Sequence, residues 1–176
     1  GDSYQGGLVF YLDGNGGGFI AAPTDQAGGG SAPPWGTTNT YSGANGTAIG
    51  TGYQNTIAAA TGNNAASLCL NLILGGYSDW FLPSKDELDQ MYLNIGQGNA
   101  LGLGNIGGFC NINSNSVYGG YYWSSSESSK DYAWMQQFFS YGSSGYQGGS
   151  NKNTGKYVRA IRALTPINTD TTNSVM

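Results

Sequence analysis

Histidine is absent from this sequence of 176 residues, and charged side chains make up only 9% of it. Without histidine the chain lacks the commonest general base, the base of a Ser-His-Asp triad and the usual zinc ligand. The six lysines and arginines are scattered, so we expect no nucleic-acid binding by phosphate neutralisation. No apolar run approaches the roughly 18 residues of a membrane helix, so we expect no membrane insertion.

Cysteine is also scarce. The chain has two, Cys69 and Cys110, which are too few for a cysteine-rich metal site. They would form one disulfide or remain two separate thiols, and their spacing alone does not decide between these states. We interpret them as separate thiols, with Cys69 packed on a helix.

A calcium site has only a partial signal. The run Asp13-Gly14-Asn15 looks like the start of a calcium loop, but Thr24 stands where an EF-hand pattern requires its closing glutamate. We interpret residues 13–18 as a hairpin turn. No cofactor is therefore expected, and calcium is left open as a ligand.

Glycine is abundant, at 31 of 176 residues, but without the three-residue period of collagen. Asn, Ser and Thr take the place of charged residues, and such a surface suits an extracellular protein. The length is that of one domain, which we place at residues 1–164. Residues 165–176 are polar and are predicted to be a C-terminal tail.

Hydrophobic periodicity predicts a mixed α and β domain. Two strands open the chain, three helices follow, and three strands close it. Residues 96–120 and 140–156 are predicted to be long glycine-rich loops. The predicted strands are 8–12, 19–22, 121–125, 133–139 and 157–164, and the predicted helices are 54–60, 65–74 and 84–94.

Residues 75–88 organise the sequence. Gly75 and Gly76 are predicted to end the second helix, because glycine takes the left-handed cap without strain. An apolar run follows at 80–82. Ser84 and Glu87 then form the S-x-x-E capping box that begins the third helix.

Four motifs carry a family resemblance. They are Gly-Tyr-Ser-Asp-Trp-Phe-Leu-Pro-Ser-Lys-Asp-Glu-Leu at 76–88, Tyr-Trp-Ser-Ser-Ser-Glu at 122–127, Ala-Trp at 133–134 and Val-Arg-Ala-Ile-Arg-Ala at 158–163. Together they resemble the DUF1566 family, which includes the C-terminal domain of the Legionella collagen-like adhesin.

The resemblance implies an α+β domain with the C-type-lectin-like fold of formylglycine-generating enzymes. Two helices would pack on twisted antiparallel strands with long glycine-rich loops, and the first and last strands would be neighbours. It also implies a phage tail-fibre tip or a bacterial surface adhesin, in either case extracellular, with a homotrimer as a plausible assembly.

The few charges near aromatic residues require partners. Arg159 and Arg162 are three apart on a predicted strand and would point to opposite faces. One would face inward and pair with Asp79 or Glu127 as a structural ion pair. The rival hypothesis is a catalytic carboxylate pair, Glu127 with Asp131, as in glycosidases.

Aromatic and amide side chains crowd residues 113–157. Tyrosine with Ser, Gly and Asn is the composition typical of binding loops. We expect Trp123 and Trp134 to be core residues and Trp35 to fix a loop to the body. The candidate ligand-binding residues are Tyr118, Tyr121, Tyr132, Tyr141, Tyr146 and Asn151.

These observations favour a non-enzymatic domain that recognises a host cell-surface receptor or glycan. The first alternative is a structural module that caps or trimerises a fibre. The second is a glycoside-cleaving enzyme that uses Glu127 and Asp131.

Overall fold

The computed structural model describes residues 1–110, 120–139 and 145–164. Its helices and strands confirm an α+β domain. In chain order they are β1 (Ser3–Tyr4), β2 (Gly7–Leu12), β3 (Gly18–Ala21), α1 (Gly52–Ala59), α2 (Ala65–Leu70), α3 (Lys85–Ile95), β4 (Tyr121–Glu127), β5 (Tyr132–Gln137), β6 (Gln147–Asn151) and β7 (Ile161–Leu164).

The strands form two antiparallel sheets. The first has the order β1-β2-β3-β7 and the second has the order β4-β5-β6. The last strand pairs with β3, so the expectation that it neighbours the first predicted strand is wrong. Strand β3 lies between β2 and β7, and β2 pairs with β1 along its other edge.

Two hydrophobic clusters fill the domain. One gathers Trp35, Trp80 and Trp123 with the small residues of α1 and α2. The other gathers Phe81, Tyr122 and Phe138 with the apolar stripe of α3. Trp35 and Trp123 are buried as expected, whereas Trp134 is only half-buried and lies under the Lys85 ammonium, 5.2 Å from its ring centroid.

The segment from Trp80 to Ser84 connects the two sheets. Phe81 exchanges two backbone hydrogen bonds of 2.8 Å with Ile161 of the first sheet. Two residues later, the Pro83 carbonyl accepts a 2.7 Å bond from the Ser125 amide of the second sheet. The predicted capping box is confirmed, because Ser84 Oγ accepts from the Glu87 amide and Glu87 accepts from the Ser84 amide.

Gly75 and Gly76 do not end a helix, so that prediction is wrong. Helix α2 ends at Leu70, and the glycines, with φ of 62° and 82°, form a two-residue turn. Leu74 and Tyr77 close this turn with hydrogen bonds of 3.0 and 3.1 Å. Positive φ at both central positions is the geometry of a type I′ turn, which favours glycine for the same steric reason as a helix cap.

Strand β6 lies within residues 140–156, which were predicted to be a loop. Its sequence, Gln-Gly-Gly-Ser-Asn, has no apolar alternation and little strand propensity. The strand is therefore held extended by its pairing with β5 over five residues. The predicted strand at 157–164 is regular only from Ile161. Tyr157 and Val158 instead make isolated bridges to Tyr122 and Ala27.

Substituting alanine for each glycine of the turn would separate backbone strain from a steric clash. Gly76→Ala meets open space, so only the left-handed backbone costs stability, about 1 kcal/mol. Gly75→Ala would also place a Cβ 2.9 Å from the Gly6 Cα. We expect it to cost roughly 2 kcal/mol or more in urea denaturation. Equal losses for the two variants would contradict this packing.

Candidate recognition surface

The structure brings together two of the six candidate binding residues. Tyr132 and Asn151 are directly opposed on β5 and β6. Tyr132 is 46% exposed, and Asn151 is half-buried. Tyr118 and Tyr141 lie outside the described residues.

Tyr121 and Tyr146 lie at the opposite end of the second sheet. Tyr121 pairs with Gln137, whose amide donates a 2.9 Å hydrogen bond to the Tyr146 carbonyl. Gln137 is five residues along β5 from Tyr132, a separation of roughly 16 Å. Tyr121 packs edge-to-face on Phe139, and Tyr146 is 53% exposed. The four candidates that lie among the described residues therefore fall on two separate regions.

A second exposed tyrosine, Tyr41, lies beside the start of β5. Its loop is bound to residues 130–131, because the Thr40 amide donates to the Lys130 carbonyl at 3.2 Å and the Asn39 amide donates to Asp131 Oδ1 at 2.8 Å. Tyr41 is 71% exposed. Sequence analysis missed it, because no local pattern indicates that residues 39–41 and 130–132 meet.

A pocket of about 220 Å³ opens next to Tyr41. Thr40 and Ser42, on either side of Tyr41, both line it. Its other walls are the alanines at the end of α1 together with Trp35, Gly36, Thr37, Thr61 and Lys152. We refer to Tyr132, Asn151, Tyr41 and this pocket as the Tyr132 surface. It offers aromatic rings, one amide and several hydroxyl groups.

A buried ion pair supports the Tyr132 surface from below. The Lys152 ammonium binds Glu127 Oε1, and the side chains of these residues are 1% and 3% exposed. The same ammonium donates to the carbonyls of Thr40 at 2.8 Å and Lys130 at 3.1 Å, and it lies 5.0 Å from the centroid of Trp35.

Glu127 and the Lys152 backbone extend this connection. Glu127 Oε1 accepts from the Ser42 amide at 2.9 Å and from Ser42 Oγ at 3.2 Å. The Lys152 amide donates to the Asp131 carbonyl at 3.0 Å, and the Lys152 carbonyl accepts from the Trp35 amide at 2.9 Å. Three chain segments, residues 35–44, 127–132 and 151–152, thus meet at Glu127 and Lys152. We call this ion pair, together with the hydrogen bonds of its two residues, the Lys152 clamp.

The expected partners of the arginines are partly confirmed. Arg162 forms a two-point ion pair with Asp79, with distances of 2.7 and 2.9 Å, and its hydrogen bonds to Asp79 hold the pKa of that carboxyl below its usual range. Glu127, in contrast, pairs with Lys152 and not with an arginine. The expectation that only one arginine faces inward is wrong, because Arg159 is also buried and binds Asp25 at 2.7 Å.

Arg159 is buried because it precedes β7 and is not part of that strand's alternation. Its guanidinium donates to the carbonyls of Ala22 and Gly107, which ties β3 to the loop before residue 110. Tyr122 donates to the same Asp25 carboxylate at 2.8 Å. Burial raises the pKa of Asp25, although Arg159 and Tyr122 both favour its charged form.

The carboxylates of the enzyme hypothesis are both engaged in the structure. Glu127 belongs to the Lys152 clamp, and Asp131 accepts the Asn39 amide. Burial opposes the ionisation of Glu127. The bonds from Lys152 and Ser42 outweigh it, so the pKa of Glu127 lies below its usual range. A general acid in glycoside cleavage requires the opposite shift.

The cysteines and the candidate calcium loop have defined surroundings. Cys69 and Cys110 are free thiols, and burial raises the pKa of Cys69 on α2. Asp13 Oδ1 accepts the amides of Asn15 and Gly17 at 2.7 and 2.9 Å, which closes the predicted turn. Across residues 1–110, 120–139 and 145–164, no three Asp, Glu or Cys side chains form a group that would hold a metal ion. No helix in these ranges is long and apolar enough to cross a membrane.

The family comparison bears on this arrangement. The family model for the Lcl C-terminal domain matches residues 31–162, three-quarters of the chain. The chain belongs to this family. The match includes β4 to β6, the Lys152 clamp and the whole Tyr132 surface, whereas β1 to β3 precede it. A search of curated proteins finds no match.

Family membership sets the broad function. The family is named for the C-terminal domain of the Legionella collagen-like protein. It indicates an adhesin-type domain, of a kind found at the cell surface or outside the cell.

Removing the clamp cation tests whether it supports the domain. Lys152→Met leaves Glu127 buried without its cation, so we expect a loss of about 3–5 kcal/mol in urea denaturation. Removing both charges in Lys152→Met with Glu127→Leu is expected to cost less than the single change. The matched control is Lys130→Met, an exposed lysine, with a change within about 0.5 kcal/mol. A Lys152→Met loss as small as that of the control would contradict the clamp.

The pH dependence of stability tests the same pair. The pKa of Glu127 is lowered in the folded protein, so its contribution is present above its ordinary value of 4.5 and is lost as pH falls through the folded pKa. The difference in free energy of unfolding between wild type and Glu127→Gln should therefore shrink below pH 4.5.

Glu87 is the control with the opposite sign. Its pKa is raised by burial, so wild type should gain stability relative to Glu87→Gln as pH falls. Parallel pH profiles for the two variants would contradict both assignments.

Proposed function

We propose that this domain recognises a host cell-surface receptor or glycan, without enzymatic activity, through the Tyr132 surface. The proposal extends to a C-type-lectin-like fold and to an extracellular setting, as a phage tail-fibre tip or a bacterial surface adhesin. Neither nucleic-acid binding nor membrane insertion has a place in it. No cofactor has a role, and calcium dependence is a question for experiment.

One observation carries the proposal. Tyr132, at 46% exposed, lies opposite Asn151, and the buried Lys152 clamp fixes both of their strand ends. A tyrosine side chain has only two rotatable bonds and so loses little conformational entropy on binding, and a neighbouring amide supplies directional hydrogen bonds. Tyr41 and the 220 Å³ pocket enlarge the same region.

A structural module is the second candidate, and a different surface favours it. Leu12, Leu101 and Leu103 are 65%, 80% and 57% exposed, and all three line a groove of about 480 Å³ between β2 and α3. Exposed apolar patches of this kind mark association sites. A homotrimer of this domain would cover the groove, and Leu101→Asp would then shift the protein to monomer in sedimentation analysis.

Binding of the purified domain to whole bacterial cells and to a glycan array, with and without EDTA, tests recognition. We expect Tyr132→Ala and Asn151→Ala to weaken binding, with about 30-fold for the tyrosine if it is an anchor of about 2 kcal/mol. The EDTA response would decide whether calcium takes part.

Two further variants make the test specific. Tyr53→Ala, at 45% exposed on α1, is the matched control and should change affinity less than about threefold. Tyr146→Ala probes the other end of the sheet. A loss confined to Tyr146→Ala would contradict the Tyr132 surface, whereas unchanged binding with a changed assembly state after Leu101→Asp would favour the structural module.

A further inference from the structure

The positive charges of this chain are almost all hidden. Its six lysines and arginines all lie among the described residues, and four of them are between 1% and 5% exposed. Only two lysines therefore remain outside the interior, against seven aspartates in the same ranges, none of which is buried. The buried cations are Lys152, Lys156, Arg159 and Arg162.

The hidden cations are engaged by partners inside the domain. The Lys152 ammonium has three hydrogen-bond donors, and Glu127, Thr40 and Lys130 accept from it. Arg162 is engaged by Asp79 and by the ring of Tyr77 at 3.7 Å.

The other two are held in the same way. Arg159 is engaged by Asp25 and backbone carbonyls. Lys156 lies 5.3 Å from the centroid of Trp123 and binds Thr154 Oγ1 at 3.2 Å. Releasing any of the four would dismantle core contacts.

The two remaining lysines do not form a cationic patch. Lys85 is paired with Asp86 at 3.4 Å. Lys130 is exposed, and its ammonium donates to Asn39 at 3.0 Å. Recognition of a polyanion requires several cations that replace its counterions, and an excess of aspartate opposes its approach.

The groups exposed on the Tyr132 surface are of the kind that bind an uncharged sugar. Its pocket is lined by threonine and serine residues, alanines, Trp35 and Lys152, and no carboxylate lines it. The Lys152 ammonium is already engaged by Glu127 and by two backbone carbonyls. Aromatic rings pack against the apolar C–H faces of a sugar, while amides and hydroxyls bond to its hydroxyl groups. A site built to hydrogen-bond hydroxyl groups discriminates against ligands that lack them.

We infer that the ligand of the Tyr132 surface is an uncharged glycan, and that sulfated, phosphorylated or sialylated glycans are not its targets. This inference rests on the proposed recognition function and names the ligand class of the same site. It implies that affinity depends little on ionic strength, because screening weakens charge–charge contacts and leaves stacking and neutral hydrogen bonds in place.

An array of neutral, sialylated and sulfated glycans, with dextran and dextran sulfate as a matched soluble pair, tests the inference. We expect binding only to neutral glycans, less than twofold change in affinity between 50 and 500 mM NaCl, and tenfold or greater loss with Tyr132→Ala. Lys130 is exposed and is two residues from Tyr132, but it is not part of the Tyr132 surface. Lys130→Gln should therefore leave affinity within twofold.

Three outcomes would overturn the inference. They are binding that requires sulfate, phosphate or sialic acid; a tenfold or greater loss of affinity with salt or with Lys130→Gln; and binding to cells without binding to any glycan. In the last case recognition would stand and its ligand would be a protein. Failure to bind cells as well as glycans would remove the proposed function itself.

Discussion

The Lys152–Glu127 ion pair is the interaction on which the candidate site depends. It joins residues 35–44, which lie outside the second sheet, to residues 127–132 and 151–152 at the strand ends of that sheet. Burying two charges is costly, and such pairs do not in general add stability over apolar replacements. What the pair supplies here is position: with both charges satisfied by one another and by backbone groups, the ends of β5 and β6 and the Tyr41 loop have one arrangement.

Few charged residues are present in the whole domain, and most of its cations are used in internal contacts. In a chain with 9% charged residues, three ion pairs with buried cations hold the first sheet, the second sheet and the loops to the core. With four cations buried, the groups that the Tyr132 surface exposes are chiefly amides, hydroxyls and tyrosine rings. These groups suit stacking and neutral hydrogen bonding, so in the proposed function the way the fold is stabilised would also limit the ligands of this surface.

The sequence predicted those features that depend on interactions between residues close together in the chain. The Ser84–Glu87 capping box, the apolar stripe of α3 and the hairpin at 8–22 each depend on residues a few positions apart. Local signals can also be ambiguous. Gly75 and Gly76 were predicted to cap a helix but form a turn, because a positive φ suits both structures. Strand β6 was missed because it has no apolar alternation and is held extended only by its pairing with β5. The role of Lys152 was missed because its partner Glu127 is distant in sequence. Tyr132 and Asn151 were proposed as binding residues from composition, but their pairing across β5 and β6 was not predicted.

Hydrogen exchange of backbone amides in wild type and Lys152→Met tests most directly whether one ion pair holds the three segments as a single surface. The amides of Trp35, Ser42 and Lys152 are each bonded within the clamp, whereas the amide of Leu88 lies in α3 and bonds to Ser84. The account predicts that the first three lose protection together while Leu88 retains it. Retained protection at Ser42 and Trp35, or a uniform loss that includes Leu88, would contradict it.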